Sequence, residues 1–299
     1  MGWNLIELPN IEEEFNPENT FFIGQVFNWM KEDNIYVGCF GNKLLEIYVE
    51  QSGIKWKLTP EGTEEEVRSY LNLDISLISL LNDWKKDSFF NQIYQNQPGV
   101  RILKQPVFEC LISFICSQNN NVKRISQNIE SIKMTYGTEI CEKYGKTWYA
   151  FPSPADLSKA KISELINLGL GYRAKYIVNS VERIVEKGGN EWLNSLKEMD
   201  YEEAKLEIME LEGIGPKVAD CICLFGLNHF STVPLDVHMW RIVREHYLAG
   251  KASKSMSAKA YAAATSAFVS VFGSYAGWAH SILYAASLKK ALPLKRKLR

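Results

Sequence analysis

The feature that most constrains the fold of this chain is a change of apolar period near residue 60. Before it, FFIGQVFNWMKE, NIYVGCFGN, KLLEIYVEQ and IKWKLTP are short runs rich in aromatic and β-branched residues. Turn signals ED, GN and SG separate them at intervals of about ten residues, the pattern of an antiparallel sheet. From residue 63 onward apolar residues recur at helical spacing, with Gly or Pro at nearly every junction. TEEEVRSYL opens this second part with a Thr followed by a Glu at capping-box spacing. The expected fold is α+β: an N-terminal antiparallel twisted β-sheet domain with helices over 1–102, then an all-helical domain over 103–299. No fixed-period repeat is visible.

At 299 residues and 46% apolar content the chain has enough material for one large domain or two medium ones, with a real core. It contains no apolar run of the ~18 residues a membrane span needs. The acidic start MGWNLIELPNIEEEF lacks a signal-peptide core, so an intracellular location is expected: cytoplasm or nucleoid for a bacterial or archaeal source. The six cysteines form no CxxC pair and lack zinc or iron–sulfur spacing; buried free thiols are the expectation. Net charge is −1, but KKALPLKRKLR at 289–299 carries six positive charges and no acid. Such a tail can hold phosphates or merely aid solubility.

The segment YEEAKLEIMELEGIGPKVADCICLFG reads as helix, tight turn, helix. Gly213 and Gly215 permit positive φ and close backbone approach to a ligand. Pro216 suits the first turn of the second helix. Free amides at that helix start can hold a phosphate. This is the pattern of a helix-hairpin-helix DNA-binding motif spanning about 203–227; an ordinary αα-hairpin with a glycine cap is the plainer alternative.

Lys217 sits at the mouth of this second helix, where the helix dipole disfavours a cation. The helix runs to Gly226, about 15 Å. The nine residues LNHFSTVPL can span up to ~30 Å, so the chain can fold back and bring Asp236 beside Lys217. Asp236 precedes VHMWRIV and is also a candidate N-cap. A lysine beside a carboxylate is either a structural ion pair or an amine nucleophile with an acid partner. As a nucleophile the amine must be neutral, and at an ordinary pKa only about 0.1% is neutral near pH 7.4. Desolvation and the helix end lower that pKa, whereas Asp236 raises it. The unfavourable placement makes sense if the lysine has to shed its charge.

LEGIGPKVADCICLFG followed by VPLDVHMWRIV resembles the active-site region of the 8-oxoguanine DNA glycosylase/AP lyase family, within the helix-hairpin-helix glycosylase superfamily. The similarity extends to FECLISFICSQNNNVKRI (108–125), LGLGYRAKYI (168–177) and YAGWAHSILYAASL (275–288), and more weakly to IGQVFNW (23–29) and GVRIL (99–103). These motifs span nearly the whole chain in the family's order.

The resemblance implies a base-flipping enzyme acting on duplex DNA that contains 8-oxoguanine opposite cytosine. Lys217 is implied to attack C1′, forming a Schiff base that leads to β-elimination. Asp236 is implied to stabilise the sugar's oxocarbenium character and help proton transfers. The base pocket is implied to comprise the Gly24 carbonyl, which accepts the N7–H peculiar to 8-oxoguanine, with Cys221, Phe225, His280 and Tyr284. Asn119 is implied to fill the gap left by the flipped base. Arg124 and Arg173 match the arginines that read the orphan cytosine, and Tyr172 the aromatic that wedges beside it. His238 matches a histidine near the lesion's 5′ phosphate. The chain departs from better-known members by carrying His280 for Gln, Tyr284 for Phe, Phe225 for Met, and VFNW for SFRW. A histidine at 280 is expected to change charge near neutral pH. A monomer needing no redox cofactor or catalytic metal is expected, with a structural cation at the hairpin carbonyls left open.

Two other readings fit parts of the pattern. One is a glycosylase for another damaged base. Monofunctional alkyl-purine relatives lack the lysine, and iron–sulfur relatives carry four cysteines after the catalytic region, where this chain has none beyond Cys223. The other is a non-catalytic helix-hairpin-helix DNA-binding protein, which predicts a hairpin without a matched acid.

Overall fold

In the computed structural model, which describes residues 2–248 and 255–289, five strands form one antiparallel sheet. They are β1 (Asn4–Glu7), β2 (Trp29–Glu32), β3 (Ile35–Phe40), β4 (Lys43–Glu50) and β5 (Gly53–Thr59), in the order β1-β5-β4-β3-β2. Consecutive residues of a strand face opposite ways. Leu44 and Leu45 are nevertheless both fully buried, so both faces of the sheet are covered. Leu45, Ile47, Ile54 and Trp56 pack with Phe15, Phe21, Val67 and Tyr70 from short helices on one face. On the other face Val37, Cys39 and Leu44 meet Trp148.

Trp148 belongs to a two-stranded hairpin, β6 (Glu139–Lys143) and β7 (Lys146–Tyr149), set within the otherwise helical part of the chain. Its turn places Tyr144 and Gly145 at φ 55° and 71°, the two positive values a two-residue hairpin turn uses. Lys143 and Tyr144 both bond the buried carboxylate of Glu46 on β4, which docks the hairpin on the sheet.

The run FFIGQVFN is not a strand. Asn16 caps a short helix, Pro17–Phe21, by accepting from the Asn19 backbone at 3.0 Å, and Pro17 occupies its first turn. That start signal overrides the β propensity of the two phenylalanines. Residues 22–28 are irregular, and Gly24 has φ 81°. Gln25 replaces the missing ladder: its buried side chain donates to the carbonyls of Thr20 (2.7 Å) and Arg101 (2.8 Å) and accepts from the Leu103 amide.

The capping box at Thr63 forms as the sequence indicates, with Glu66 on the Thr63 amide at 2.8 Å and the Thr63 hydroxyl on the Glu66 amide. Eight longer helices follow: α1 (Val107–Ser117), α2 (Val122–Tyr136), α3 (Arg173–Glu186), α4 (Tyr201–Met209), α5 (Pro216–Phe225), α6 (Val237–His246), α7 (Ala258–Phe272) and α8 (Ala276–Leu288). Every residue of α1 from Val107 to Cys116 is buried, so α1 is the central helix of the body. Arg101 ties this body to the sheet side. Its guanidinium is fully buried, pairs with Glu14 at 2.9 Å, bonds the carbonyls of Leu71, Asn72 and Ile75, and lies over the Trp278 ring. All six cysteines are unpaired, five of them buried. No helix among the described residues is long and apolar enough to cross a membrane. Apart from Lys289, the basic tail lies outside the described residues.

Candidate active site

The hairpin α4–turn–α5 forms as the glycines and Pro216 indicate. Gly213 has φ 81°, and a Cβ there would sit 2.4 Å from the Tyr176 ring, so close packing and backbone conformation both require glycine. Gly215 differs from expectation: its φ is −92°, and a Cβ would meet nothing within 4 Å. It is an exposed N-cap, and no side chain caps this end of α5. The first amides of α5 are therefore left for a ligand.

Lys217 and Asp236 come together. The chain returns from Gly226 through an irregular segment, and both residues line one cavity with Ile23, Gly24, Phe114, Cys221, Phe225, Pro234, His280 and Tyr284. Asp236 is the N-cap of α6, and its Oδ1 accepts from the amides of His238 (2.9 Å) and Met239 (2.8 Å). Both capping bonds use Oδ1, so Oδ2 is the oxygen left for other work. No ion pair within 4 Å joins Lys217 to Asp236 among the described residues. The Lys217 amine instead hydrogen-bonds the Cys221 sulfur one turn along α5 and sits 5.6 Å from the centre of the Phe114 ring.

Of the opposing effects on the Lys217 amine, those that favour the charged form prevail. Attraction to Cys221 leads the causes that hold its pKa above the ordinary value, with the Cys221 hydrogen bond, Asp236 and Asp220 adding to it; burial opposes them. Burial itself pushes the Cys221 thiol up, so near neutrality the sulfur is a thiol. The amine is then held charged by two carboxylates and an aromatic face. In the resting site these surroundings favour the ammonium form of Lys217.

His280 also departs from expectation. It is buried, and desolvation pushes its pKa down to about 4, with Lys217 adding to the effect against Asp236 and a hydrogen bond to the Pro234 carbonyl. The ring is therefore neutral throughout the physiological range. Its one N–H serves Pro234, and Nδ1 has no partner. His280 lies parallel to Tyr284 at 6.0 Å, and Phe225 parallel to Phe114 at 5.6 Å. Between these walls the cavity holds about 40 Å³, little more than the ~30 Å³ share of one liquid water. A purine requires the walls to part.

The residues expected at the opposite base gather on a neighbouring surface. Asn119 is exposed in the left-handed region, φ 47°, in the turn between α1 and α2. Tyr172 is exposed, and its hydroxyl meets the Gln118 carbonyl at 3.3 Å. Arg124 is exposed, with one contact to the Gly169 carbonyl at 3.3 Å. Arg173 is buried, and its guanidinium bonds the carbonyls of Gln118, Asn119 and Leu170 while lying 4.6 Å from the Tyr172 ring centre. Arg124 is a free fork, whereas Arg173 is already engaged in holding the turn. His238 is exposed in the first turn of α6.

Sequence reasoning missed Phe114, Gln25 and Pro234 as cavity residues. Phe114 is one of many apolar residues in a helix that is buried almost throughout, so nothing in its spacing marks it. Gln25, next to a glycine in an aromatic stretch, is a polar residue flanked by core residues, which was the available signal.

Comparison with known proteins agrees with this geometry. A family model described as the 8-oxoguanine DNA glycosylase N-terminal domain matches residues 7–111, and one described as the HhH-GPD superfamily base excision DNA repair protein matches residues 112–266. N-glycosylase/DNA lyase OGG1 of Arabidopsis thaliana is 37% identical over 279 residues, covering 90% of this chain and 76% of the relative. The N-glycosylase/DNA lyase of Saccharomyces cerevisiae is 34% identical over 255 residues, covering 76% of this chain and 67% of its own length. The structure of Clostridium acetobutylicum 8-oxoguanine glycosylase/lyase, in complex with double-stranded DNA containing cytosine opposite 8-oxoguanine, superposes with a TM-score of 0.83 at 27% identity, covering 97% of this chain and all of that one. A hairpin lysine and an N-cap aspartate lining one cavity, on a chain matched nearly end to end, make this protein a member of the 8-oxoguanine DNA glycosylase family within the HhH-GPD superfamily of base excision DNA repair proteins.

Proposed function

We propose that this chain is a bifunctional DNA glycosylase/lyase that removes 8-oxoguanine paired with cytosine and then nicks the strand. The observation that carries this reading is the shared cavity of Lys217, Asp236 and Gly24 beside a hairpin whose helix start is uncapped. Exposed amides at the start of α5, with Gly213 and Gly215 keeping the turn slim, hold the backbone phosphates. His238 approaches a phosphate on the 5′ side. The damaged nucleotide leaves the stack, Asn119 and Tyr172 take its place, and Arg124 and Arg173 read the cytosine left behind.

In the pocket, the Gly24 carbonyl accepts the N7–H that oxidation creates, Cys221 and Phe225 flank the purine, and His280 and Tyr284 meet its far edge. Neutral His280 has its N–H committed to Pro234, so it offers the base an acceptor. Lys217 must first lose a proton, and the Asp236 oxygen not spent on capping is the base within the site. The amine then attacks C1′, the C1′–N9 bond breaks with its electrons going to the base, and the sugar ring opens to an iminium. Loss of a C2′ proton expels the 3′ phosphate by β-elimination. Asp236 passes the proton it took from Lys217 to the departing base and, ionised again, stabilises positive charge at the sugar. An amine nucleophile asks for neither a redox cofactor nor a catalytic metal.

The test is borohydride trapping on a duplex with 8-oxoguanine opposite cytosine, followed by single-turnover cleavage with each of the four bases opposite the lesion. A covalent adduct that disappears in Lys217→Gln supports the reading. Absence of an adduct, or one that persists in that variant, overturns it.

A further inference from the structure

Asp220 lies one turn beyond Lys217 on α5, 0% exposed, and the reaction scheme above gives it no step. A buried carboxylate is costly unless it is fully partnered. Here it is. Oδ1 accepts from the Tyr201 hydroxyl at 2.7 Å and pairs with the Lys205 ammonium at 2.8 Å. Oδ2 accepts from the Tyr261 hydroxyl at 2.5 Å. Lys205 also donates to the Tyr201 oxygen at 2.8 Å and lies against the rings of Tyr201 and Tyr261. Burial, then the Asp220 charge, pushes both phenols up, so each keeps its proton to donate.

The network does not end at the carboxylate. The Tyr261 oxygen accepts from the backbone amide of Leu235 at 3.1 Å, and Leu235 directly precedes Asp236. An unbroken polar path thus runs from the helix that carries Lys217, through Asp220 and Tyr261, to the irregular segment that ends at Asp236, the N-cap of α6. Among the described residues no other hydrogen-bonded path ties the two site residues together, and the Lys217 amine itself bonds Cys221 rather than Asp236.

Resting on the lyase reading above, we propose that Asp220 and Tyr261 are positioning residues that fix the separation of Lys217 and Asp236 from behind the cavity. Amine attack on a sugar carbon stabilised by a carboxylate depends on that separation, and a misplacement of about 1 Å can cost on the order of a hundredfold in rate. The titratable side chains that act on the Lys217 amine are Cys221, Asp236 and His280 in the cavity and Asp220 from behind it, so Asp220 also helps keep the amine charged.

The test uses the full chain, with single-turnover base release, borohydride trapping across pH, and affinity for the 8-oxoguanine:cytosine duplex. Tyr261→Phe keeps the ring and removes only the bridging hydroxyl. Expected is a fall of about tenfold or more in the single-turnover rate, with duplex affinity within about twofold of the parent. Asp220→Asn keeps an acceptor oxygen for one of the two tyrosines and removes the charge, so the acid limb of the trapping profile should move to lower pH. A parent-like rate in Tyr261→Phe overturns the inference, as does loss of rate and affinity in the same proportion, which marks a general packing role. Should Asp220→Asn fail to fold, Tyr261→Phe alone decides. If the unmodified protein traps no adduct, the lyase reading fails first; if it traps and both variants match it, only the positioning role fails.

Discussion

Lys217 hydrogen-bonds Cys221, four residues further along α5, while Asp236 faces it across the cavity with one oxygen committed to capping α6. The pair is therefore separated rather than fused. A direct ion pair would have to break before a sugar could sit between amine and carboxylate. Here no such bond has to break, and the cost at the amine is removing a proton from a group held charged.

This arrangement lets capping be separated from chemistry. Asn caps helices as well as Asp. Asp236→Asn should keep the α6 cap and the duplex affinity, changed by less than about threefold, while turnover falls by about 10²–10³-fold. Lys217→Gln should abolish the trapped adduct. Equal losses of binding and turnover in Asp236→Asn would mean that the residue acts only as a cap.

His280 gives a pH signature in stability. Its folded pKa, about 4, lies below the ordinary histidine value of 6.5, so between these limits the unfolded chain binds more protons. Its contribution is present above pH 6.5 and is lost as pH falls toward 4, by up to about 3 kcal/mol. Glu109, pushed up to about 7 by burial, acts in the opposite sense, losing its contribution as pH rises through 7. The informative quantity is thus the difference between the parent and His280→Gln in denaturant midpoint across pH 4–7. Their midpoints should diverge with acidification, the parent losing more. Parallel curves would mean that the imidazole titrates normally.

The architecture was legible because it is written in local pattern: the change of period near residue 60, the Thr63 capping box, and the glycine-proline turn before α5. The pairing of Lys217 with Asp236 was legible as reach. What escaped depended on three-dimensional surroundings. The state of Lys217 follows from Cys221, Asp220 and Phe114, none of which its position at a helix start reveals. His280 reads as a neutral-pH switch until its burial is known. The 139–149 hairpin carried a signal in the Tyr144–Gly145 turn between alternating residues, but it sits in a chain region dominated by helical period.

The two hairpin glycines should behave differently. At Gly213 an alanine needs a positive φ and meets the Tyr176 ring, so Gly213→Ala should cost about 1–2 kcal/mol from the backbone alone, with a further loss from the clash. Gly215→Ala meets open space at an ordinary φ and should leave thermal stability unchanged within about 0.5 kcal/mol. Melting curves of the two variants check this. Equal destabilisation would mean that the turn demands glycine at both places.

The two arginines near the opposite-base surface make the last contrast. Arg173 is buried and supports the carbonyls of Gln118, Asn119 and Leu170, so Arg173→Ala strands those acceptors and should destabilise the fold by about 2–3 kcal/mol. Arg124 is exposed and held by one long contact, so Arg124→Ala should leave stability nearly unchanged. If Arg124 reads the cytosine, that variant should lose about tenfold in its preference for cytosine over other bases opposite the lesion. Single-turnover rates with the four opposite bases, set beside melting curves, separate the two effects. Retained preference in Arg124→Ala would shift the reading of cytosine to Arg173, which would then have to release its carbonyls when DNA binds.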